Sequence, residues 1–169
     1  MSDNETKAEG QEAPQAQKAN FAPQRIYVKD ISFESPNSPV VFQKEWKPEV
    51  KMDLQTRNSD LGDGHFEVVV SVTLTVSVEG MTAYIAEVQQ AGIFKAEGLE
   101  STRLAQAINA FGPNFLFPYL REAVDSVLTK GSFPSLMLAP VNFDALFAQA
   151  VMKQQQEQAA AQADETTTH

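Results

Sequence analysis

From Phe66 to Val78 every second residue is apolar without a break: Phe66, Val68, Val70, Val72, Leu74, Val76 and Val78. The other parity holds Glu67, Val69, Ser71, Thr73, Thr75 and Ser77. A period of two sorts side chains onto the two faces of a strand, whereas a helix would spread this set around its circumference. The chain therefore contains a long strand with one dry and one wetter face, as in an antiparallel sheet covered on one side. The polar residues of the second parity exclude a membrane span. Glu79-Gly80 predicts a tight hairpin into a strand over 82–91. Upstream, Val50, Met52 and Leu54 alternate with polar residues over 49–56, and RNSDLGDG at 57–64 predicts a turn. RIYVKDISFE at 25–34 predicts a first strand, with Asp30 and Glu34 on one face and Tyr27, Ile31 and Phe33 on the other.

The rest of the chain changes period. Leu104, Ile108 and Phe111 recur at helical spacing, and Gly112-Pro113 predicts the end of that helix. Pro118 suits the first turn of the next helix, whose stripe is Leu120, Val124, Val127 and Leu128 and whose stop is Gly131. After the Pro-punctuated connection SFPSLMLAPV, Asn142 is a good N-cap for a last helix bearing Leu146, Phe147, Ala150 and Val151. The predicted class is α+β: a four-stranded antiparallel β-meander with helices packed on one face.

The order of elements leaves room for one domain, residues 25–152. Residues 1–24 and the Gln/Ala-rich residues 153–169 lack the large apolar side chains that offset ordering entropy, which predicts a disordered N-terminal tail and a flexible C-terminal one. The N-terminal stretch is polar and acidic, without the apolar core of an export signal, so a cytoplasmic location is expected. With no cysteine, disulfides and thiolate zinc sites are excluded. The net charge of −9 argues against nucleic-acid binding, which needs clustered Lys and Arg. The two tails carry seven of the 22 acids and three of the 13 bases, so most of the excess negative charge belongs to the folded part. Such a surface fits a basic partner, and it also fits simple solubility.

Catalytic signals are thin. His65 stands in a predicted turn and His169 at the end of the chain, and no phosphate-cradling loop, nucleophile elbow or metal-ligand motif is present, so no cofactor or metal is expected. Asp30 and Glu34, four residues apart on a strand, are separated by about 13 Å, wider than the carboxylate pairs of glycoside hydrolases. A solvated acidic face is the better reading, and a docking surface for basic residues is the sharper alternative. Ile85 and Glu87 share a parity on the fourth strand and fit the same surface, although Lys29 is an equally good cross-strand partner for an acid there. Phe42, Trp46, Phe111, Phe115, Phe117 and Tyr119 crowd into two short segments. Ordinary core is one reading of them. The other is a groove, because FGPNFLFPY is broken by Gly and Pro and large rings offer contact area without polar geometry. Such a groove suits extended, unfolded polypeptide. The competing functional classes are a carrier of small apolar ligands and an acid-pair hydrolase.

RIYVKDISFESPNSPVVFQKEWKPEV at 25–50, EVQQAGIF at 87–94, GPNFLFPYLRE at 112–122 and LAPVNFDALF at 138–147 together resemble the SecB family of protein-export chaperones, over about 24–151. The resemblance implies a non-enzymatic, ATP-independent holdase of the cytoplasm, assembled as a homotetramer from two dimers. It implies that unfolded precursor proteins are bound and passed to the translocase ATPase SecA. The SecA contact it implies falls on Asp30, Glu34, Ile85 and Glu87, facing the small zinc-binding C-terminal segment of SecA. The zinc there belongs to the partner. Direct membrane insertion is not expected.

Overall fold

The computed structural model describes residues 19–165. Four antiparallel strands form one sheet: β1 (Asn20–Glu34), β2 (Pro48–Gly62), β3 (His65–Val78) and β4 (Met81–Glu97). A helical run follows, made of α1 (Ser101–Gln106), a π turn (Ala107–Phe111) and α2 (Gly112–Lys130), and α3 (Phe143–Glu165) comes last. The α+β class with four antiparallel strands and helices on one face is what the sequence predicts. Only β2, β3 and β4 form a meander, however. The order across the sheet is β1-β4-β3-β2, so β1 lies against β4 and the segment after it crosses to the far edge. Local pairing signals cannot foresee this, because a strand's alternation says which face it buries and not which neighbour it takes.

The predicted hairpin at Glu79-Gly80 is present, with both residues at positive φ (50° and 75°), as the two-residue turn matching strand twist requires. The other turn is shorter than expected. β2 runs through Asn58, Ser59 and Asp60, each paired with β3, and only Asp63-Gly64 turns the chain. Polar residues on an edge strand remain solvated, so their turn-like composition does not end it. β1 likewise starts at Asn20, ahead of the expected Arg25, and Phe21 pairs with Ala96. Residues 1–18 and 166–169, parts of the two predicted tails, lie outside the described residues, and α3 continues through 153–165.

The even residues of β3 meet Tyr84, Ala86 and Val88 of β4 on the face that carries the helices. From α2 the core takes Leu116, Leu120, Val124 and Leu128, a run at spacing four that forms a single stripe. Burying each such side chain stabilises the fold by about 2 kcal/mol. Gly131 ends α2 as expected, its N–H bonded to the Val127 carbonyl. A Cβ there would fall 2.4 Å from Cζ of Phe33, so close packing demands glycine. Asn142 caps α3, its Oδ1 accepting from the Ala145 N–H at 3.0 Å.

Gly112-Pro113 does not stop the helix. The Gly112 N–H reaches back five residues to the Ala107 carbonyl, and this π turn absorbs the proline at the head of α2. Asn109 inside the turn donates to the Ala105 carbonyl (2.8 Å) and accepts from Asn58 of β2 (2.9 Å). Pro118 stands inside α2 and not in its first turn. FGPNFLFPY is thus helical, contrary to the broken loop expected.

Candidate functional site: an open acidic sheet face and exposed aromatic clusters

Edge strand β1 carries two irregularities, at Gln24 and Lys29, where one extra residue stands against β4. The second changes the parity of everything after it. Before it, Val28 pairs with Gln90 on the helix face. After it, Ile31 pairs with Val88 and Phe33 with Ala86 on that same face. Tyr27 therefore faces the open side with Asp30 and Glu34, and not with Ile31 and Phe33 as strict alternation predicts. Beside the bulge, the buried Gln90 amide donates to the Tyr27 carbonyl at 3.0 Å.

On the open face the register brings the four predicted acidic-surface residues together. Glu34 pairs with Ile85, Ser32 with Glu87, and Asp30 with Gln89. Glu87 thus lies in the row between Asp30 and Glu34, on the neighbouring strand. Asp53 of β2 shares the Glu87 row through Thr73. None of Asp30, Glu34 and Glu87 belongs to an ion pair among the described residues. Lys29 does not neutralise Glu87. Its ammonium lies 2.7 Å from Glu67 Oε2 and 2.8 Å from Oε1. The Tyr27 hydroxyl also donates to Glu67, and Arg57 donates to Gln89. Burial pushes the Glu67 carboxyl up, but the Lys29 and Tyr27 hydrogen bonds and the charges of Lys29 and Arg57 outweigh it and hold Glu67 below its usual value. Tyr27 is pushed up to about 12, first by burial and then by the Glu67 bond and charge.

The six predicted aromatics do not line one groove. At one end, Phe42 and Trp46 pack on Phe133, with ring centroids 5.1 Å and 5.7 Å away. Phe133 also meets Tyr84 (4.9 Å) and Phe33 (6.1 Å), so it is the hub of this cluster. Sequence reasoning missed it inside SFPSLMLAPV, where its only signal was an aromatic next to the Gly131 stop. At the other end, Phe111, Phe115 and Tyr119 form a ridge at spacing four, with successive centroids 6.2 Å and 6.1 Å apart. Phe21, expected in the tail, stacks on Phe94 and meets Phe111 edge-on. Beside Phe21 and Phe111, with Arg103, Asn114 and Asp144, is a cavity of about 410 Å³. The stretch of α2 from Tyr119 to Lys130, about 17 Å of helix, separates the two clusters.

Phe42 and Phe111 are 51% and 48% exposed, and Trp46 and Tyr119 are also exposed. Phe117 is 6% exposed and packs on Phe143, so it belongs to the core. The structure adds apolar surface that the aromatic argument did not name. Val50 and Met52 of β2, and Val28 and Ile31 of β1, are exposed on the helix face, where α2 leaves both edges of the sheet uncovered. Among the described residues no helix is long and apolar enough to cross a membrane.

Comparison with known proteins agrees with this architecture. The family model described as preprotein translocase subunit SecB matches residues 14–156. The chain is 53% identical over 171 residues to the protein-export protein SecB of Marinobacter nauticus, covering 100% of both. It is 56% identical over 153 residues to that of Hahella chejuensis, covering 90% of this chain and 95% of the relative. Among solved structures, a SecB-like chaperone of Mycobacterium tuberculosis in complex with a ChAD peptide from an antitoxin superposes with a TM-score of 0.59. It covers 72% of this chain and 90% of its own at 18% identity, which speaks for the fold alone. On this evidence the chain belongs to the SecB family.

Proposed function

We propose that the protein is an ATP-independent holdase of the cytoplasm that binds unfolded precursor proteins and passes them to SecA for export. One observation supports this reading: a set of acids outside any ion pair among the described residues and a set of exposed apolar side chains lie on opposite faces of one sheet. The open face presents Asp30, Glu34 and Glu87 outside any ion pair among the described residues, with Ile85 as an apolar residue among them. The helix face presents exposed rings.

On the helix face, an extended client lies over Phe42 and Trp46, which rest on the buried Phe133, and continues onto Val50 and Met52 of the adjoining strand. Phe111, Phe115 and Tyr119 form a second contact for a longer client, while Phe117 packs in the core against Phe143. Many weak apolar contacts offset the entropy of holding the client extended. The open face receives the basic, zinc-binding C-terminal segment of SecA, where complementary charge governs encounter and orientation. Edge strand β1, with its unpaired backbone groups and exposed Val28 and Ile31, supports association of copies into a homotetramer built from two dimers.

Charge reversal separates the two surfaces. Asp30→Lys with Glu34→Lys is expected to weaken SecA binding about tenfold or more. Uptake of a permanently unfolded polypeptide stays at the level of the unmodified chain. Equal loss of both activities would overturn the assignment of separate surfaces.

A further inference from the structure

The acidic patch has a cationic residue at its border. Lys29 is the chain neighbour of Asp30 and reaches over the same open face, one residue before the Asp30–Gln89 pair and three before the Ser32–Glu87 pair. An ammonium on a flexible four-carbon stem is free to choose among nearby carboxylates unless one of them holds it. Glu67 holds it through both oxygens, at 2.8 Å and 2.7 Å, and the same carboxylate accepts from the Tyr27 hydroxyl. The Glu67 side chain is 13% exposed and that of Lys29 39%, so the pair is shielded from solvent on the Glu67 side. Lys29 and Tyr27 stand on either side of Val28, at the bulge that turns Asp30 and Glu34 outward. Of the other cations on this face, Arg57 is bonded to Gln89, Arg25 stands in the row of Ile93 and Glu67, and Lys51 stands in the Ile85 row through Thr75, on the strand farthest from Asp30 and Glu34.

We propose that Glu67 is a positioning residue for the acidic docking surface: it sequesters the Lys29 ammonium, so that Asp30, Glu34 and Glu87 keep their full charge for a cationic partner. Glu67 itself does not touch that partner. The inference rests on the reading of the open face as a docking surface, and its test separates the two.

The probe is a fluorescently labelled oligolysine peptide, titrated at low salt against the full chain and followed by anisotropy. Glu67→Gln keeps the side chain's shape but loosens Lys29, which turns toward the acidic row and weakens binding about threefold, the scale of one exposed charge pair. Adding Lys29→Met to Glu67→Gln restores binding to the level of the unmodified chain. A merely structural role for Glu67 would not be rescued by removing a second residue. Should Glu67→Gln fold poorly, Lys29→Met in the otherwise unmodified chain still tests the idea. A sequestered ammonium predicts a change of less than about twofold, and a larger tightening means that Lys29 already screens the patch. Unchanged binding in Glu67→Gln, or weakened binding without rescue, overturns the proposal. Asp30→Lys with Glu34→Lys serves as the reference. If that double reversal leaves oligolysine binding intact, the docking surface itself is misassigned, whatever Glu67 does.

Discussion

Tyr84 shows how one side chain links core packing to a measurable response. It is buried between β4 and the helices and meets both Phe33 and Phe133. Burial, with the nearby charge of Asp125, pushes its hydroxyl from the usual 10 up to about 12. The folded state therefore binds this proton more tightly than the unfolded one. The stability it contributes is complete below pH 10 and is lost as pH rises through about 12. Urea titrations across this window are expected to show the midpoint falling, and Tyr84→Phe flattens that fall. Tyr27 contributes in the same direction from the open face. Gly131 makes the complementary point about shape, since no residue with a Cβ fits against Phe33 without moving the rings on which Phe42 and Trp46 rest.

At the scale of elements, the bulge in β1 decides what each face presents. Without the extra residue between Val28 and Asp30, strict alternation would turn Asp30 and Glu34 onto the helix face and Ile31 and Phe33 onto the open one. It is held from both faces, by Gln90 on the helix side and by Glu67 on the open side. Gln90→Leu keeps the volume but leaves the Tyr27 carbonyl without its donor, which is expected to cost about 1–3 kcal/mol in chemical denaturation. Faster amide exchange confined to the middle of β1 would identify the bulge as the site of loss. The π turn works in a related way, because it carries the helix past Gly112-Pro113 and keeps Phe111 in register with Phe115 and Tyr119.

For the whole molecule, one chain leaves apolar surface at both edges of its helix face, and the two proposed uses are client and self-association. Light scattering is expected to give a particle of about four chains, which takes up a permanently unfolded apolar polypeptide without nucleotide. A monomer without uptake would contradict both uses. Several surfaces on one particle let a long client wrap it, so affinity for the polypeptide should drop steeply when its apolar segments are divided into separate short peptides.

The sequence by itself determined the strands and the dry face of β3, because uninterrupted alternation has one physical solution. It also determined the hairpin at Glu79-Gly80, the stop at Gly131 and the cap at Asn142, since each depends on local backbone chemistry. The acidic residues were legible as a set through their parity and the family resemblance, but their lack of ion pairs was not. That depended on Lys29 reaching across β4 to Glu67, thirty-eight residues away in the chain. Tertiary structure alone decided that β1 joins β4, that a bulge turns Tyr27 outward, that Phe117 is core and that Phe133 is the hub under Phe42 and Trp46. Each of these is a choice of neighbour, and periodicity reports which face a residue takes but not what it meets there.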